Sequence, residues 1–189
     1  MKKIIYKILA SITLVTLSVS CSDDFLDLGP LDQEVTSTFY KTEEQAMQAL
    51  IAVYDVLGYQ DTPGYSWAPF ITISDVLSDD SYAGGADAND GQDEDELNNF
   101  NIPTTSKIVQ AIWIKNYTGI YRANVLLEKI EGVDASDEFK KRLIAESKFL
   151  RAYFYFEQVA YFENIPLLTR TLSGPSEYKQ PQAAPADVY

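Results

Sequence analysis

The chain has 189 residues, 46% of them hydrophobic and 13% aromatic, which is enough apolar surface for the core of one domain. Its 15 basic and 28 acidic residues give a formal net charge of −13 at pH 7, so it repels phosphate backbones, and we expect no nucleic-acid partner. The chain lacks histidine, which excludes Ser-His-Asp and Cys-His catalysis, and its one cysteine, Cys21, cannot form an intramolecular disulfide.

Residues 1–20 have the layout of a secretory signal. Three lysines precede the apolar run 8–19, and Ser20 is a small residue directly before Cys21. A transmembrane anchor is the alternative, but a bilayer span needs about 20 apolar residues and this run is shorter. We therefore predict a signal peptide over residues 1–20.

The sequence around Cys21 is similar to the lipobox of lipoprotein signal peptidase. A lipobox has leucine three places before the cysteine, whereas here Leu17 lies one place further back and Ser18 takes its position. The resemblance implies that Cys21 becomes the first mature residue and is acylated, and several acyl chains hold a protein stably at a membrane. A cleaved signal with a free thiol is the alternative. Residues 22–24, Ser-Asp-Asp, are similar to the acidic export signals of Bacteroidota surface lipoproteins.

The first helix is predicted directly after a lipidated tether over residues 21–41. Thr42 can cap this helix, and Gln45, three places on, completes a capping box. Gly58 is placed to end it. Apolar residues recur between them at helical spacing: Ala46, Ala49, Leu50, Val53, Tyr54 and Leu57.

A turn at Pro63-Gly64 is followed by a segment of ambiguous type. Residues 68–77 suit a short helix, although the β-branched run Ile71-Thr72-Ile73 also suits a strand. Residues 78–101 are polar, strongly acidic and contain glycine, and we expect one long loop there. Loops of that length inside a domain are usually functional or disordered.

Two long helices are predicted in the second half of the chain. The first runs from Ser106 to Gly132 and the second from about Ser136 to Phe162, and so short a connection makes them antiparallel neighbours. The apolar side of the second contains Phe139, Leu143, Phe149, Leu150, Tyr153 and Phe156. Because the aromatic run 153–156 surrounds the helix, we expect burial between neighbouring helices.

The second long helix also carries a repeat-like element. Ala145 and Phe149 match the A-x-x-x-F element of tetratricopeptide repeats, which stack as helix pairs. A linker is predicted over residues 173–185, and residues 184–189 are typical of the start of another helix, which predicts a chain that is incomplete at its C-terminus.

Three stretches together resemble the SusD/RagB family. They are Cys21-Ser22-Asp23-Asp24-Phe25-Leu26-Asp27, the segment 113–127 that reads WIKNYTGIYRANVLL, and the segment 145–162 that reads AESKFLRAYFYFEQVAYF, followed by Ile165-Pro166-Leu167. Each alone is an ordinary segment, but their order and spacing fit the family. The resemblance covers nearly all of the chain after residue 20.

The resemblance implies a mainly α fold of tetratricopeptide-like stacked helix pairs with long loops, here residues 42–189 as the N-terminal helical portion of a longer domain. It implies an outer-membrane lipoprotein, exposed at the cell surface and held by its lipid anchor. Its partners would be an oligosaccharide, or in some members a peptide, and a SusC-like TonB-dependent transporter.

A glycan site needs aromatic rings that stack on sugar C–H faces, with amides or carboxylates nearby. The acidic loop offers Tyr82, Asp87 and Asn89, and the resemblance implies a ligand-contacting aromatic roughly where Tyr82 stands. Contact of this loop with the transporter or with another part of the protein is the alternative. Trp67, near Tyr65, is a further candidate, with packing in the core as its alternative.

The loop also contains a segment that suggests calcium binding, Asp87-Ala88-Asn89-Asp90-Gly91-Gln92-Asp93. The EF-hand pattern places glycine sixth and an acid twelfth, and Gly91 is fifth from Asp87. We predict neither a metal site nor a cofactor.

A binding protein without enzymatic activity is the function we predict. A lipoprotein glycoside hydrolase with two catalytic carboxylates is one alternative, since it needs no histidine. A tetratricopeptide-type interaction scaffold is another. Arg122, Asn124, Glu146 and Arg151 are expected to serve packing and hydrogen bonding between helices rather than ligand binding.

Overall fold

A computed structural model of the chain describes residues 39–60, 69–87 and 89–189. Over these ranges the protein is mainly helical, as predicted, and β-type pairing is limited to two isolated bridges, Thr42 with Asp134 and Ile165 with Ala183. The helices are α1 (Glu43–Asp55), α2 (Pro69–Leu77), α3 (Gln92–Asn98), α4 (Lys107–Lys129), α5 (Asp137–Phe162) and α6 (Pro185–Val188), with 3₁₀ turns at Val56–Gly58, Ile130–Gly132 and Pro175–Glu177.

Residues Tyr40–Tyr189 form one compact unit. The predictions for the signal peptide, Cys21, most of the tether and the turn at Pro63-Gly64 lie outside the described residues. No helix that the structure describes is long and apolar enough to cross a bilayer.

Helix α1 begins as the sequence predicts. The Thr42 hydroxyl accepts a hydrogen bond from the Gln45 backbone N–H at 3.3 Å, and Gln45 Oε1 accepts one from the Thr42 backbone N–H at 3.3 Å. This reciprocal pair is a capping box, and it satisfies two backbone donors at the helix start. The buried face that follows consists of Ala46, Ala49, Leu50 and Val53.

Residues 69–77 of the ambiguous segment form helix α2. Its inward residues Ile73 and Val76 are three apart, so they lie on one helical face, and both are buried against Leu97 of α3 and Ile108 of α4. Burial of this pair on one side therefore overrides the strand preference of the β-branched run.

The prediction of one continuous loop over 78–101 is wrong, because α3 lies inside it. Asp93, Glu94 and Asp95 occupy the first turn, where the positive end of the helix dipole favours acidic side chains. Leu97, the single apolar residue of this helix, is completely buried. A short acidic helix thus forms because one leucine reaches the core.

Helices α4 and α5 form the predicted antiparallel pair. Ser136 caps α5 by accepting a hydrogen bond from the Phe139 backbone N–H at 3.3 Å. The Asn116 amide of α4 donates to Gln158 Oε1 of α5 at 3.2 Å, and further along α4 Asn124 Oδ1 accepts from Arg151. From the first pair to the second, the residue number rises in α4 and falls in α5, so the two helices run in opposite directions.

The predicted apolar side of α5 is partly wrong. Leu143 and Leu150 are buried, but Phe149 is 70% exposed, Phe156 60% and Tyr153 39%. The buried face instead includes polar residues: Leu143, Ser147, Leu150, Phe154, Tyr155, Gln158 and Val159. Helix α4 covers only one side of α5, so aromatic residues on the other side remain exposed in the described part of the chain.

Candidate functional site

The part of the predicted loop that connects α2 to α3, described at residues 78–87 and 89–91, is folded upon itself. The backbone N–H of Ala86 donates to Asp90 Oδ2 at 2.9 Å, and that of Asn89 donates to Asp87 Oδ1 at 2.8 Å. The Asp90 backbone N–H also donates to the Asp87 carbonyl at 3.1 Å. These bonds make the loop tip a closed turn.

Glycines allow the two ends of this loop to approach each other. A Cβ on Gly85 would lie 2.6 Å from the Asp90 carbonyl oxygen, and one on Gly91 would lie 2.8 Å from the Gly84 carbonyl oxygen. Gly91 also has a positive φ of 70°, which L side chains rarely adopt. Side chains would therefore force the two ends apart.

Tyr82 projects from the start of the loop and is 80% exposed. Its neighbour Ala83 anchors the backbone, since Ala83 packs against the buried cluster around Ile73 and Leu97 and its N–H donates to Asn98 Oδ1 at 3.5 Å. An exposed ring on an anchored backbone position suits stacking against a flat ligand.

Of the other predicted site residues, two lie in the described loop and one lies outside the described residues. Asp87 and Asn89 lie in the same exposed loop as Tyr82, although Asp87 Oδ1 is already hydrogen-bonded to the Asn89 backbone. Trp67 and Tyr65 lie outside the described residues. Ligand contact by Tyr82, Asp87, Asn89 and Trp67 therefore stays a prediction.

The surroundings of the loop are strongly acidic. Asp87 and Asp90 are in the loop, and α3 begins with three further acids. Lys107 Nζ lies 3.5 Å from Asp93 and offsets part of this charge. The resulting field repels anionic ligands and leaves carboxylate oxygens as acceptors for neutral hydroxyl groups. In the described ranges no cluster of three or more Asp, Glu or Cys could hold a metal ion.

The residues expected to connect helices do so. Arg122 of α4 donates to the Ala52 carbonyl of α1 and to the Tyr59 hydroxyl. Asn124 donates to the Leu168 carbonyl at 2.8 Å and accepts from Arg151 at 2.6 Å. These bonds tie α1 and the segment after α5 onto the long helix pair.

Glu146 has the same kind of role. It accepts hydrogen bonds from Arg142 at 2.7 Å and from the Tyr54 hydroxyl of α1 at 3.0 Å. The hydrogen bond from Arg142 lowers the pKa of Glu146, which keeps this carboxylate ionised.

A cleft along the exposed side of α5 was missed by sequence reasoning. It has a volume of about 580 Å³, and its rim includes Phe149, Phe156 and Tyr189, with the rings of Phe156 and Tyr189 centred 6.2 Å apart. Lys148 and Arg151 flank these rings. The sequence does contain a pattern that indicates this cleft. Small and large residues alternate along one side of the helix, at Ala145, Phe149, Ala152 and Phe156.

Comparison with known proteins identifies the class of protein that this fold represents. Residues 24–184 match the SusD-like family model described as starch-binding associating with outer membrane. Because the match spans most of the chain, the protein belongs to this family, and the predicted SusD/RagB membership is confirmed.

Individual relatives agree with this assignment. SusD-like protein P2 of Formosa agariphila is 28% identical over 177 residues, which are 94% of this chain and 33% of that protein. The structure of a laminarin-binding SusD-like protein matches with a TM-score of 0.70 at 39% identity, over 79% of this chain and 32% of its own. Surface glycan-binding protein A from Bacteroides thetaiotaomicron, solved in complex with laminarihexaose, matches with a TM-score of 0.62 at 26% identity, over 69% and 28% of the two chains. The chain thus spans about a third of the length of such relatives.

Proposed function

We propose that this protein captures oligosaccharides at the cell surface for a SusC-like TonB-dependent transporter, and that a lipid on Cys21 anchors it in the outer membrane. The family is described as starch-binding and associating with the outer membrane. One relative binds laminarin and another was solved with laminarihexaose, so a neutral glucan is the first ligand to test.

The observation that carries the proposal is the exposed Tyr82 on a closed acidic loop. A sugar ring presents C–H groups on its faces and hydroxyls at its edge, so it needs an aromatic surface with hydrogen-bond acceptors beside it. Tyr82 supplies the surface, and Asp87 and Asn89 supply polar groups in the same loop. The acidic field there disfavours charged anionic ligands and tolerates neutral glycans.

Two carboxylates can be tested against the glycosidase alternative, Glu146 and Glu177. A glycosidase needs one carboxylic acid whose pKa is raised so that it can protonate the leaving group. Arg142 lowers the pKa of Glu146, and hydrogen bonds from Arg170 and Ser173 lower the pKa of Glu177 to about 2. Both carboxylates are therefore unsuited to act as general acids, and turnover of oligosaccharides by the purified protein would contradict the binding proposal.

Replacing Tyr82 with alanine is expected to weaken laminarihexaose binding roughly 2- to 12-fold, because one aromatic stacking contact is worth about 0.5–1.5 kcal/mol. Isothermal titration calorimetry at fixed salt measures the change. Tyr178→Ala is the matched control, since Tyr178 is also an exposed tyrosine, at 65%, but lies far along the chain from the loop. Unchanged affinity in Tyr82→Ala would remove the loop from the ligand site.

Replacing Cys21 with serine is expected to shift the protein from the membrane fraction to the soluble fraction, because the hydroxyl cannot be acylated as the thiol is. Fractionation of cells followed by immunodetection measures the distribution. Ser37→Ala is the control, since it changes the tether and keeps the thiol. Continued fractionation of Cys21→Ser with membranes would show that another feature anchors the protein.

The exposed aromatic side of α5 favours a second candidate function, a tetratricopeptide-type interaction scaffold. Phe149 and Phe156 are both more than half exposed, and large exposed apolar patches usually mark interaction surfaces. Transporter association without any oligosaccharide binding would support the scaffold, whereas laminarihexaose binding that depends on Tyr82 would support capture.

A further inference from the structure

A second cleft lies where α4 begins and α5 ends. Its volume of about 540 Å³ is within the range of small-molecule sites. Among the described residues its lining is uncharged and combines hydroxyl, amide and aromatic groups: Thr104, Thr105, Ser106, Val109, Gln110, Trp113 and Phe162. Tyr82, Asp87 and Asn89 do not line it, so it does not belong to the loop described above.

The aromatic part of the cleft is held in a defined position. The rings of Trp113 and Phe162 meet edge to face, with centroids 4.9 Å apart and an interplanar angle of 86°. The Tyr117 ring packs against Trp113 with a centroid distance of 4.7 Å. Tyr117 is itself fixed, because its hydroxyl donates to the Pro166 carbonyl at 2.7 Å. The indole is therefore oriented in advance of any ligand.

Ser106 is the informative polar residue of this cleft. It is the N-cap of α4, yet its side chain makes no capping hydrogen bond. The residue is 3% exposed, and its buried Oγ has no hydrogen-bond partner in the described part of the chain. An unpaired buried hydroxyl costs about 1–3 kcal/mol, which a ligand hydroxyl would recover. Thr104, Thr105 and Gln110 are exposed and can bond further groups of the same ligand.

We propose that this cleft is a second carbohydrate site, which binds one neutral pyranose ring against Trp113 and Phe162 with a ring hydroxyl bonded to Ser106 Oγ. The chemistry agrees with the lining, since aromatic rings contact the C–H face of a sugar while hydroxyls and an amide bond its edge. None of the described residues that line the cleft is charged, and the net charge of −13 disfavours an anion at the N-terminus of α4. The site depends neither on Tyr82 nor on a transporter.

The test is an NMR titration of the full chain with D-glucose, following the indole N–H of Trp113, which is assigned with a Trp113→Phe variant. We expect a saturable shift of this signal that persists in Tyr82→Ala. Ser106→Ala and Gln110→Ala should each raise the dissociation constant for glucose about 2- to 10-fold, the worth of one hydrogen bond. Because the Ser106 side chain makes no capping bond and its buried hydroxyl has no partner among the described residues, Ser106→Ala should not lower the melting temperature.

Ser147→Ala is the matched control. Ser147 also has a buried Oγ without a partner among the described residues, but it does not line the cleft, so its replacement should leave glucose binding unchanged. An indole signal that does not respond to glucose would overturn the proposal. So would a stronger response to inorganic phosphate than to glucose, or a Ser106→Ala variant that melts at a lower temperature and binds glucose as the parent does.

Discussion

Replacing Gly119 with alanine is expected to destabilise the fold by about 2 kcal/mol or more, as overpacked cores do. Gly119 lies in α4 against the ring of Phe154 of α5, and a Cβ there would lie less than 3.0 Å from three carbons of that ring. Phe154 is completely buried, so its ring cannot turn away without displacing neighbours. The better helix propensity of alanine, worth about 1 kcal/mol, is too small to offset this overlap.

Thermal unfolding followed by circular dichroism measures the effect, and we expect a loss of roughly 4–8 °C at this chain length. Gly58→Ala is the control, because a Cβ at Gly58 meets nothing within 4 Å. Adding Phe154→Leu to Gly119→Ala should restore part of the stability by making room for the methyl group. If Gly119→Ala melted at the parent temperature, α4 and α5 would not approach each other as closely as described here.

Alkaline pH is expected to destabilise the protein, and Tyr155 is one of the buried tyrosines that contribute. The hydroxyl of Tyr155 donates to the Leu168 carbonyl at 2.9 Å and accepts from the Leu168 backbone N–H at 2.6 Å. Burial raises the pKa of Tyr155 to about 12 from its ordinary value of 10.0. The folded state therefore keeps a proton that the unfolded chain loses. The stabilisation is complete below pH 10 and is lost towards pH 12, about 2–3 kcal/mol in all.

Lys115 has the opposite effect, at pH values below 10.5. Burial lowers the pKa of this lysine below its ordinary value of 10.5, although Glu157, 3.8 Å from its Nζ, counteracts the shift. The folded state releases this proton before the unfolded chain does, so stability rises with pH between the lowered pKa and 10.5. We expect a maximum of stability on the alkaline side of neutrality, followed by a steep fall.

Melting temperatures of the parent and Tyr155→Phe from pH 8 to 12 test this profile. The variant should be less stable at pH 8, because it loses both hydrogen bonds to Leu168, and its stability should fall less between pH 10 and 12. Tyr82→Phe, which changes an exposed tyrosine, should follow the parent. Equal falls for the parent and Tyr155→Phe would show that Tyr155 does not cause the alkaline loss.

Local chemistry made much of the fold predictable. The capping box at Thr42 is a sequence signal that depends on a neighbour three residues away, and it was confirmed. Apolar periodicity over 20 or more residues located α4 and α5 well. Helix α3 was missed because its seven residues contain one apolar side chain, Leu97, too few for a period to show.

The candidate sites were less predictable. Composition indicated an exposed loop with Tyr82, but the close approach of Gly85 to Asp90 depends on the path of the backbone. The cleft at Ser106 combines residues near 104–113 with Phe162 about 50 positions away. No local pattern relates such residues, since only the packing of α5 against α4 brings them together.

The sequence by itself determined the helical class, the long antiparallel pair and the resemblance to the SusD/RagB family, because these depend on periodicity, capping and segment order. The tertiary structure decided which face of each helix is buried. Phe154 packs over Gly119 while Phe149 and Phe156 remain exposed, although all three are apolar residues of α5. A helical period indicates which residues share a face of the helix. Whether that face is buried depends on the neighbouring helices.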